Sequence, residues 1–462
     1  MSKGITIVGL GPGMPDLLTV EAFHTLEAAG EVWVRTRRHP TVATLSGKAK
    51  VESFDDLYAA HDSFAALYQD IAAQVIALGR REQGVIYAVP GHPAIGEASV
   101  TQIRTVAAQE GLPLRIVEGL SFIEPVLAAV GVDALDCGLQ VADATDLAAR
   151  LYPSLDPDRP ALVAQLYSRL VAGEVKLTLM AIYPDDHPTR LIRAAGTKEM
   201  HVVDLPLYEI DRQPWIDHLT SLFIPPRPGE HSLAAFADVI ARLRAPDGCP
   251  WDREQTHRSL RTTLLEETHE VLSALDREDM SDLREELGDL LMQIVMHAQM
   301  ASEGSVFNLS DVLADVRAKI VNRHPHVFGD VRVANSAEVI RNWEDIKADE
   351  AGKEDRRSRP FASIPPTLPA LARAQKIVGK ALRLGWDGDP LQDRWANALA
   401  PLTDRPTTAH EKVSASEALF GDFLLAVVQW AGQHNLDAES ALRQSSNRLV
   451  EQASRARAYH QE

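Results

Sequence analysis

Glu267 and Glu270 stand three residues apart in LLEETHEVLSALDREDMSDLREELGDLL, residues 264–291, and so do Glu286 and Asp289. At about 100° per residue the first pair shares a helix side with Leu260, Leu264, Val271 and Ala274, and the second with Leu283, Leu290, Gln293 and Ile294. Glu266, His269, Ser273, Asp276 and Arg277 point elsewhere, toward solvent. The linking DREDMSD is polar and short, so the spacing predicts an antiparallel helical hairpin on which the two inward pairs converge. Carboxylates gathered in a half-buried place repel and take up protons unless a cation sits among them. Mg²⁺ or Mn²⁺ suits such a set, because both prefer oxygen ligands and no thiolate is offered. The competing reading is an ordinary solvated face of a helical bundle.

Bulk composition fits a soluble globular protein with that chemistry. A formal net charge of −18 argues against sequence-independent binding to nucleic-acid polymers, which needs a basic surface to displace counterions. A small anionic substrate stays possible, because a metal ion inverts the local sign. Cys137 and Cys249 are the only cysteines, too few for a disulfide framework or a Cys-rich zinc site. No run approaches about eighteen apolar residues, and MSKGITIVGLGPG has no signal-peptide layout; a cytoplasmic protein with no membrane span is expected.

These side chains need elements to position them, and 462 residues call for roughly two or three domains. Ile5 to Val8 reads as a strand closed by Gly9, Gly11 and Gly13, followed by a helix from about Thr19 to Ala29 that stops at Gly30. Glu31 to Val34, Val85 to Val89 and Arg115 to Val117 read as further strands. Ser121 and Glu124, at capping-box spacing, open a helix that ends at Gly131. Such alternation predicts a mainly parallel α/β sheet over residues 1–225. IPPRPGEHS at 224–232 is a linker, and beyond it a 3.6-residue period predicts helices. A charged, proline-rich break at 348–366 separates a helical domain over 226–350 from another over 366–462.

The pattern Glu266-Glu267-x-x-Glu270, then Glu286-x-x-Asp289, resembles the metal motif of the MazG nucleoside triphosphate pyrophosphohydrolases. GCPWDREQTHRSL (248–260), RHPHVFGD (323–330), NWEDIK (342–347) and LPALARAQKIVGKALRLGWD (368–387) extend the likeness. The resemblance implies an all-α fold, a homodimer, and hydrolysis of a nucleoside triphosphate to the monophosphate and pyrophosphate. It also implies Glu267, Glu270, Glu286 and Asp289 as ligands of Mg²⁺, with Glu266 as an outer partner or base. Arg284, Lys319, Arg323 and Lys347 are the cations offered to the triphosphate, of which Arg323 and Lys347 lie in family-like blocks. Trp343, one turn before Lys347, either stacks on a base or packs on the next helix. His324 and His326 lack further ligands for a transition metal and read as a phosphate contact or a helix cap. Trp251 either lines the pocket or pins the helix start.

SEALFGDFLLAVV at 416–428 is similar to EELGDLLMQIV at 285–295, with Asp422 in the place of Asp289. Leu419 stands where Glu286 would be, and LQDRWANALAPL upstream lacks the Glu-Glu-x-x-Glu pattern. One carboxylate cannot hold a metal cluster, so 366–462 reads as a degenerate second MazG-like copy that packs against the first or forms the dimer.

GLGPG at 9–13 follows a strand and admits a nucleotide-like ligand close to the backbone. No Gly-Lys-Ser/Thr follows, Pro12 interrupts a dinucleotide fingerprint, and Arg35 ends the second strand where an acid would hold a ribose, so NAD is not expected. With LLTVEA (17–22), YAVPGHPAIGEAS (87–99) and IVEGLSFIEPVLAAVG (116–131), residues 3–220 resemble the tetrapyrrole methylase family. That resemblance implies two α/β subdomains with S-adenosylmethionine in the cleft between them. By position Gly9, Gly11, Pro12, Gly91 and Pro93 would line the cleft, with Ser121 and Phe122 near it; His92 stands where porphyrin-modifying members carry Asp. A retained scaffold without chemistry is the alternative for this half. The chain thus reads as an α/β methylase-like domain followed by all-α MazG-type domains, acting as a Mg²⁺-dependent nucleoside triphosphate pyrophosphohydrolase. Two alternatives stand beside it: a tetrapyrrole-type methyltransferase with an auxiliary MazG domain, and a non-catalytic ligand-binding regulator.

Overall fold

Ile5, Ile7 and Val8 are all fully buried, so their strand packs apolar groups on both faces and belongs inside a sheet. The computed structural model describes residues 3–45, 49–61, 63–350, 361–362, 364–384 and 411–459. Strands β1 (Ile5–Gly9), β2 (Glu31–Val34), β3 (Lys50–Ser53), β4 (Val85–Val89) and β5 (Leu114–Val117) form one sheet in the order β3-β2-β4-β1-β5. Every pairing in it is parallel. Helix α1 (Val20–Glu27), begun by Thr19 accepting the Ala22 N–H, buries Ala22 and Leu26 against Val8, Val32 and Val34. Helices α2 (Phe64–Gly79) and α3 (Ala98–Glu110) cover the other face through Ile71, Val75 and Ile103, against Ile5, Ile7 and Tyr87.

A second sheet follows, of β6 (Gln140–Asp143), β7 (Ala161–Ala164), β8 (Pro188–Arg193), β9 (His201–Pro206) and β10 (Thr220–Ile224), in the order β6-β7-β10-β8-β9. Here β6 and β7 pair in parallel, whereas β7-β10, β10-β8 and β8-β9 are antiparallel. The mainly parallel expectation therefore describes the first sheet only. Residues 194–200 between β8 and β9 are too few for a crossover helix, so the chain reverses instead. All five residues of β10 are buried. Leu222 and Ile224 meet Val171 and Val175 of α5 (Arg169–Leu179), while Phe223 meets Val126 of α4 (Ile123–Val130).

The chain divides into two compact units, Met1–Val239 and Ile240–Glu462. After α6 (Leu233–Arg244) and α7 (Pro250–Glu254) come α8 (Arg261–Arg277) and α9 (Met280–Glu303), separated by Glu278 and Asp279 alone. Glu278 adopts a left-handed conformation, Asp279 accepts the Ser281 and Asp282 N–H groups as the cap of α9, and Arg277 pairs with Asp282 across the turn. A two-residue link of this kind forces the helices antiparallel. At the far end Arg244 pairs with Glu303 at 2.7 Å and donates to the Asp252 carbonyl. Helix α10 (Leu309–Arg323) starts at an Asn308/Asp311 capping box, followed by α11 (Pro325–Phe328) and α12 (Ser336–Glu350).

The described tail is helical: α13 (Ala370–Arg383), α14 (Glu411–Gln433) and α15 (Ala438–Tyr459). Gln375 clamps the α14–α15 turn by donating to the Leu436 carbonyl and accepting the Ala438 N–H. Arg443 pairs with Asp276 of α8 at 2.8 Å, so this tail packs on the acidic hairpin. LQDRWANALAPL lies outside the described residues. Among the described residues no helix is long and apolar enough to cross a membrane.

At the carboxyl ends of β1, β4 and the turn after β5, backbones touch. A Cβ built on Gly9 would lie 2.6 Å from the Gly91 oxygen and 2.7 Å from the Gly119 nitrogen. Gly9→Ala is therefore expected to cost the N-terminal unit about 2–3 kcal/mol, read as a lower urea midpoint. An unchanged midpoint would mean that this backbone yields freely.

Candidate active site

Glu267 and Glu270 of α8 and Glu286 of α9 bring carboxylate oxygens within 4.8 Å of one another. Asp289 is not part of that closest trio, yet its charge acts on both Glu267 and Glu286. Glu267, Glu286 and Asp289 are half-buried, whereas Glu270 is exposed. The helical wheel set Glu270 inward beside Glu267. Three residues stop about 60° short of a full turn, and that offset carries Glu270 to the rim of the seam. Glu266 and His269 are exposed.

Loss of solvation raises the Glu267 carboxyl above the usual carboxylate range, and Asp289, Glu270 and Glu286 push the same way. Glu286 is raised too, by desolvation first and then by Glu270, Asp282 and Asp289. Ionised together, these groups repel, and a hard divalent cation relieves the repulsion. A donor set of carboxylates alone fits Mg²⁺ or Mn²⁺.

The other sequence candidates scatter. Arg284 is exposed and sits about 160° around α9 from Glu286, so the helix does not bring it to the trio. Lys319 is exposed. The Arg323 guanidinium lies over the Trp343 ring, 5.2 Å from its centroid, joining α10 to α12. His324 Nδ1 donates to the Ile320 carbonyl at 2.7 Å and closes α10, which is a capping role. The Lys347 side chain lies outside the described residues. Trp251 is exposed in α7.

In the N-terminal unit, Gly11 and Gly91 hold the ends of β1 and β4 together: the Gly91 N–H donates to the Gly11 oxygen at 2.8 Å and the Gly11 N–H to the Gly91 oxygen at 3.3 Å. Both residues have positive φ, +71° and +64°, which favours glycine. The Met14 N–H reaches the Gly196 oxygen at 3.2 Å, so the loop carrying Pro12 meets the second sheet's β8–β9 reversal. Pro93 is buried between Gly91 and Gly96. Ser121 donates from both its backbone nitrogen and its hydroxyl to Glu124, at 2.8 and 2.6 Å. Phe122 packs on Val126 and Val130. Of the candidates, Gly9, Gly11, Gly91 and Ser121 thus come together where the connections leaving β1 and β4 diverge, the place α/β sheets use for ligands, whereas Phe122 packs into the hydrophobic cluster.

Beside them lies a buried ion pair that no local sequence pattern marks. Arg35, just past β2, meets Glu97, just before α3, at 2.8 Å. Burial raises the Glu97 carboxyl to about 7 against the pull of Arg35. Burial also lowers His39 to about 4 while its Nε2 donates to the Gly11 oxygen at 3.0 Å. A carboxyl raised from 4.5 contributes stability that is present below pH 4.5 and lost as pH climbs through 7. A histidine depressed from 6.5 contributes stability that is present above pH 6.5 and lost as pH falls toward 4. The two slopes oppose each other between pH 4.5 and 6.5. Glu97→Gln removes the first, so the urea transition of the N-terminal unit should gain stability with pH more steeply than in the wild type across that window. Parallel curves for the two proteins would refute the assignment.

Residues 255–328 match the family model of the MazG nucleotide pyrophosphohydrolase domain, and residues 4–211 match that of the Tetrapyrrole (Corrin/Porphyrin) Methylases. The uncharacterized protein YabN of Bacillus subtilis is 37% identical over 458 residues, 97% of this chain and 92% of that one. The nucleoside triphosphate pyrophosphohydrolase of Escherichia coli K12 is 41% identical over 215 residues, 46% of this chain and 81% of its own. Among solved structures, the uroporphyrin-III-C-methyltransferase from Thermus thermophilus aligns at 23% identity with a TM-score of 0.40, covering 48% of this chain and 94% of that one. The chain belongs to the MazG family of nucleoside triphosphate pyrophosphohydrolases, here joined to a tetrapyrrole-methylase-like N-terminal domain.

Proposed function

We propose that this chain hydrolyses nucleoside triphosphates to monophosphates and pyrophosphate, in the cytoplasm and as a homodimer, with Mg²⁺ or Mn²⁺ held by Glu267, Glu270, Glu286 and Asp289. The observation that carries the reading is the convergence of three carboxylate oxygens from two helices within 4.8 Å. A divalent cation bound there supplies positive charge to the phosphates and acidifies a water for attack on the α-phosphorus. The chain's own groups do the rest. Glu267, Glu270 and Glu286 offer oxygens to the cation, and exposed Glu266 is the group that can take the proton that water releases. Arg323, braced on Trp343, is a positive group for the triphosphate, with Lys347 assigned the same task by position. Residues 226–350 form the catalytic domain, and 366–462 a structural copy: Asp422 is exposed, Leu419 replaces a ligand, and the Arg443–Asp276 pair braces α8.

A second reading concerns residues 1–225, where the close approach of Gly9, Gly91 and Gly119 leaves backbone bare of side chains. We infer that S-adenosylmethionine binds along Gly9, Gly11, Pro12, Gly91 and Pro93, near Ser121 and Phe122. Calorimetry with S-adenosylmethionine tests this directly, and absence of binding would favour a scaffold role.

For the hydrolase, pyrophosphate release with Mg²⁺ is compared between wild type, Glu270→Gln and Asp289→Asn. Each variant is expected to lose about 10²-fold or more in kcat/KM and to bind Mn²⁺ more weakly by calorimetry. Activity equal to wild type in both variants would remove the metal-site proposal.

A further inference from the structure

The acidic trio does not end the polar stripe on α9. Gln293 and His297 follow Asp289 at steps of four, so Glu286, Asp289, Gln293 and His297 share about 80° of the helix circumference. Along the axis Gln293 stands about 6 Å, and His297 about 12 Å, beyond Asp289. Gln293 is 3% exposed, and its Oε1 has no hydrogen-bond partner among the described residues. His297 stacks on His257, from the segment before α8: the ring centroids are 5.1 Å apart, the planes differ by 9°, and the two Nδ1 atoms lie 2.9 Å apart. One Nδ1 donates and the other accepts, so one ring keeps a free Nε2 lone pair and the other an Nε2–H. Burial, and then the neighbouring His257, hold His297 below the ordinary histidine range. At the buried Gln293 position a hairpin that only needed to pack would place an apolar side chain.

We propose that this stripe is the base-recognition track of the nucleotide site, selecting bases that carry an exocyclic amino group, as cytosine and adenine do. The proposal rests on the pyrophosphohydrolase reading of the carboxylates and adds the base class to it. With the phosphates at the carboxylate end, the nucleoside extends along α9 toward Gln293. An amino N–H from the base satisfies the buried Oε1, whereas a keto oxygen in the same place would face it lone pair to lone pair. The two histidine Nε2 positions offer one acceptor and one donor to the remaining base edge.

The test compares kcat/KM with Mg²⁺ for CTP against UTP and ATP against ITP, in the full-length wild type and in Gln293→Met. Each pair exchanges an amino for a keto group. The wild type is expected to favour the amino member about tenfold, the worth of one such hydrogen bond. Gln293→Met, which keeps length and burial, should bring both ratios near one, mainly through KM, with an unfolding midpoint equal to or above wild type. Independently of whether that variant folds, calorimetry on the wild type should show tighter binding of α,β-methylene CTP than of α,β-methylene UTP. Equal ratios in the wild type, equal binding of the two analogues, or an equal loss for all four substrates in the variant would overturn the proposal. Failure of the wild type to hydrolyse any of the four would overturn the hydrolase reading beneath it.

Discussion

Repulsion between carboxylates held across a two-helix seam is the constraint on which the helical unit is organised. Glu267, Glu270 and Glu286 do not drift apart because α8 and α9 are pinned at both ends. At the turn, Asp279 caps α9 and Arg277 meets Asp282; at the other end Arg244 holds Glu303; on the outer side Arg443 of the tail holds Asp276. Exposed pairs of this kind contribute little singly, so the buried contacts of Ala274, Val295, Met296 and Ala298 supply most of the hold. The scaffold stores electrostatic tension at one place, and a bound cation or proton is what offsets it.

The N-terminal unit depends on a different constraint, the approach of main chain to main chain. Gly9, Gly91 and Gly119 sit so close that no Cβ fits at Gly9 or Gly119, so main chain packs directly on main chain there. In the same unit Arg35 and Glu97 form a pair with little access to water. Both units thus hold acids away from their ordinary titration range, for different reasons. In the hairpin, like charges crowd a partly desolvated seam; at Glu97, burial outweighs the attraction of a partner already in contact.

Much of this order was legible from one sequence. Alternating strand and helix signals marked the parallel sheet, since strands buried on both faces read as short apolar runs between glycines, as ITIVG does. The second sheet was not marked out, because its edge strands QVAD and HVVDLP are only partly buried and mix polar with apolar residues. Periodicity placed Glu267 and Glu286 on facing sides of a hairpin, but it assigned Glu270 to the interior. A wheel records angle, and how wide the packed seam is depends on the partner helix. Arg284 shows the same limit, since a cation near in sequence to Glu286 lies on the opposite side of α9.

What the sequence determined by itself was which elements form and which residue types they carry, because helix period, capping side chains and turn glycines act over a few residues. Tertiary structure alone decided which groups meet across the chain beyond that hairpin: Arg35 with Glu97, His257 with His297, Arg443 with Asp276. Those meetings depend on how helices and sheets close over long separations. Burial and opposing charge at the points of closure then set how strongly each group titrates, and no local pattern contains that information.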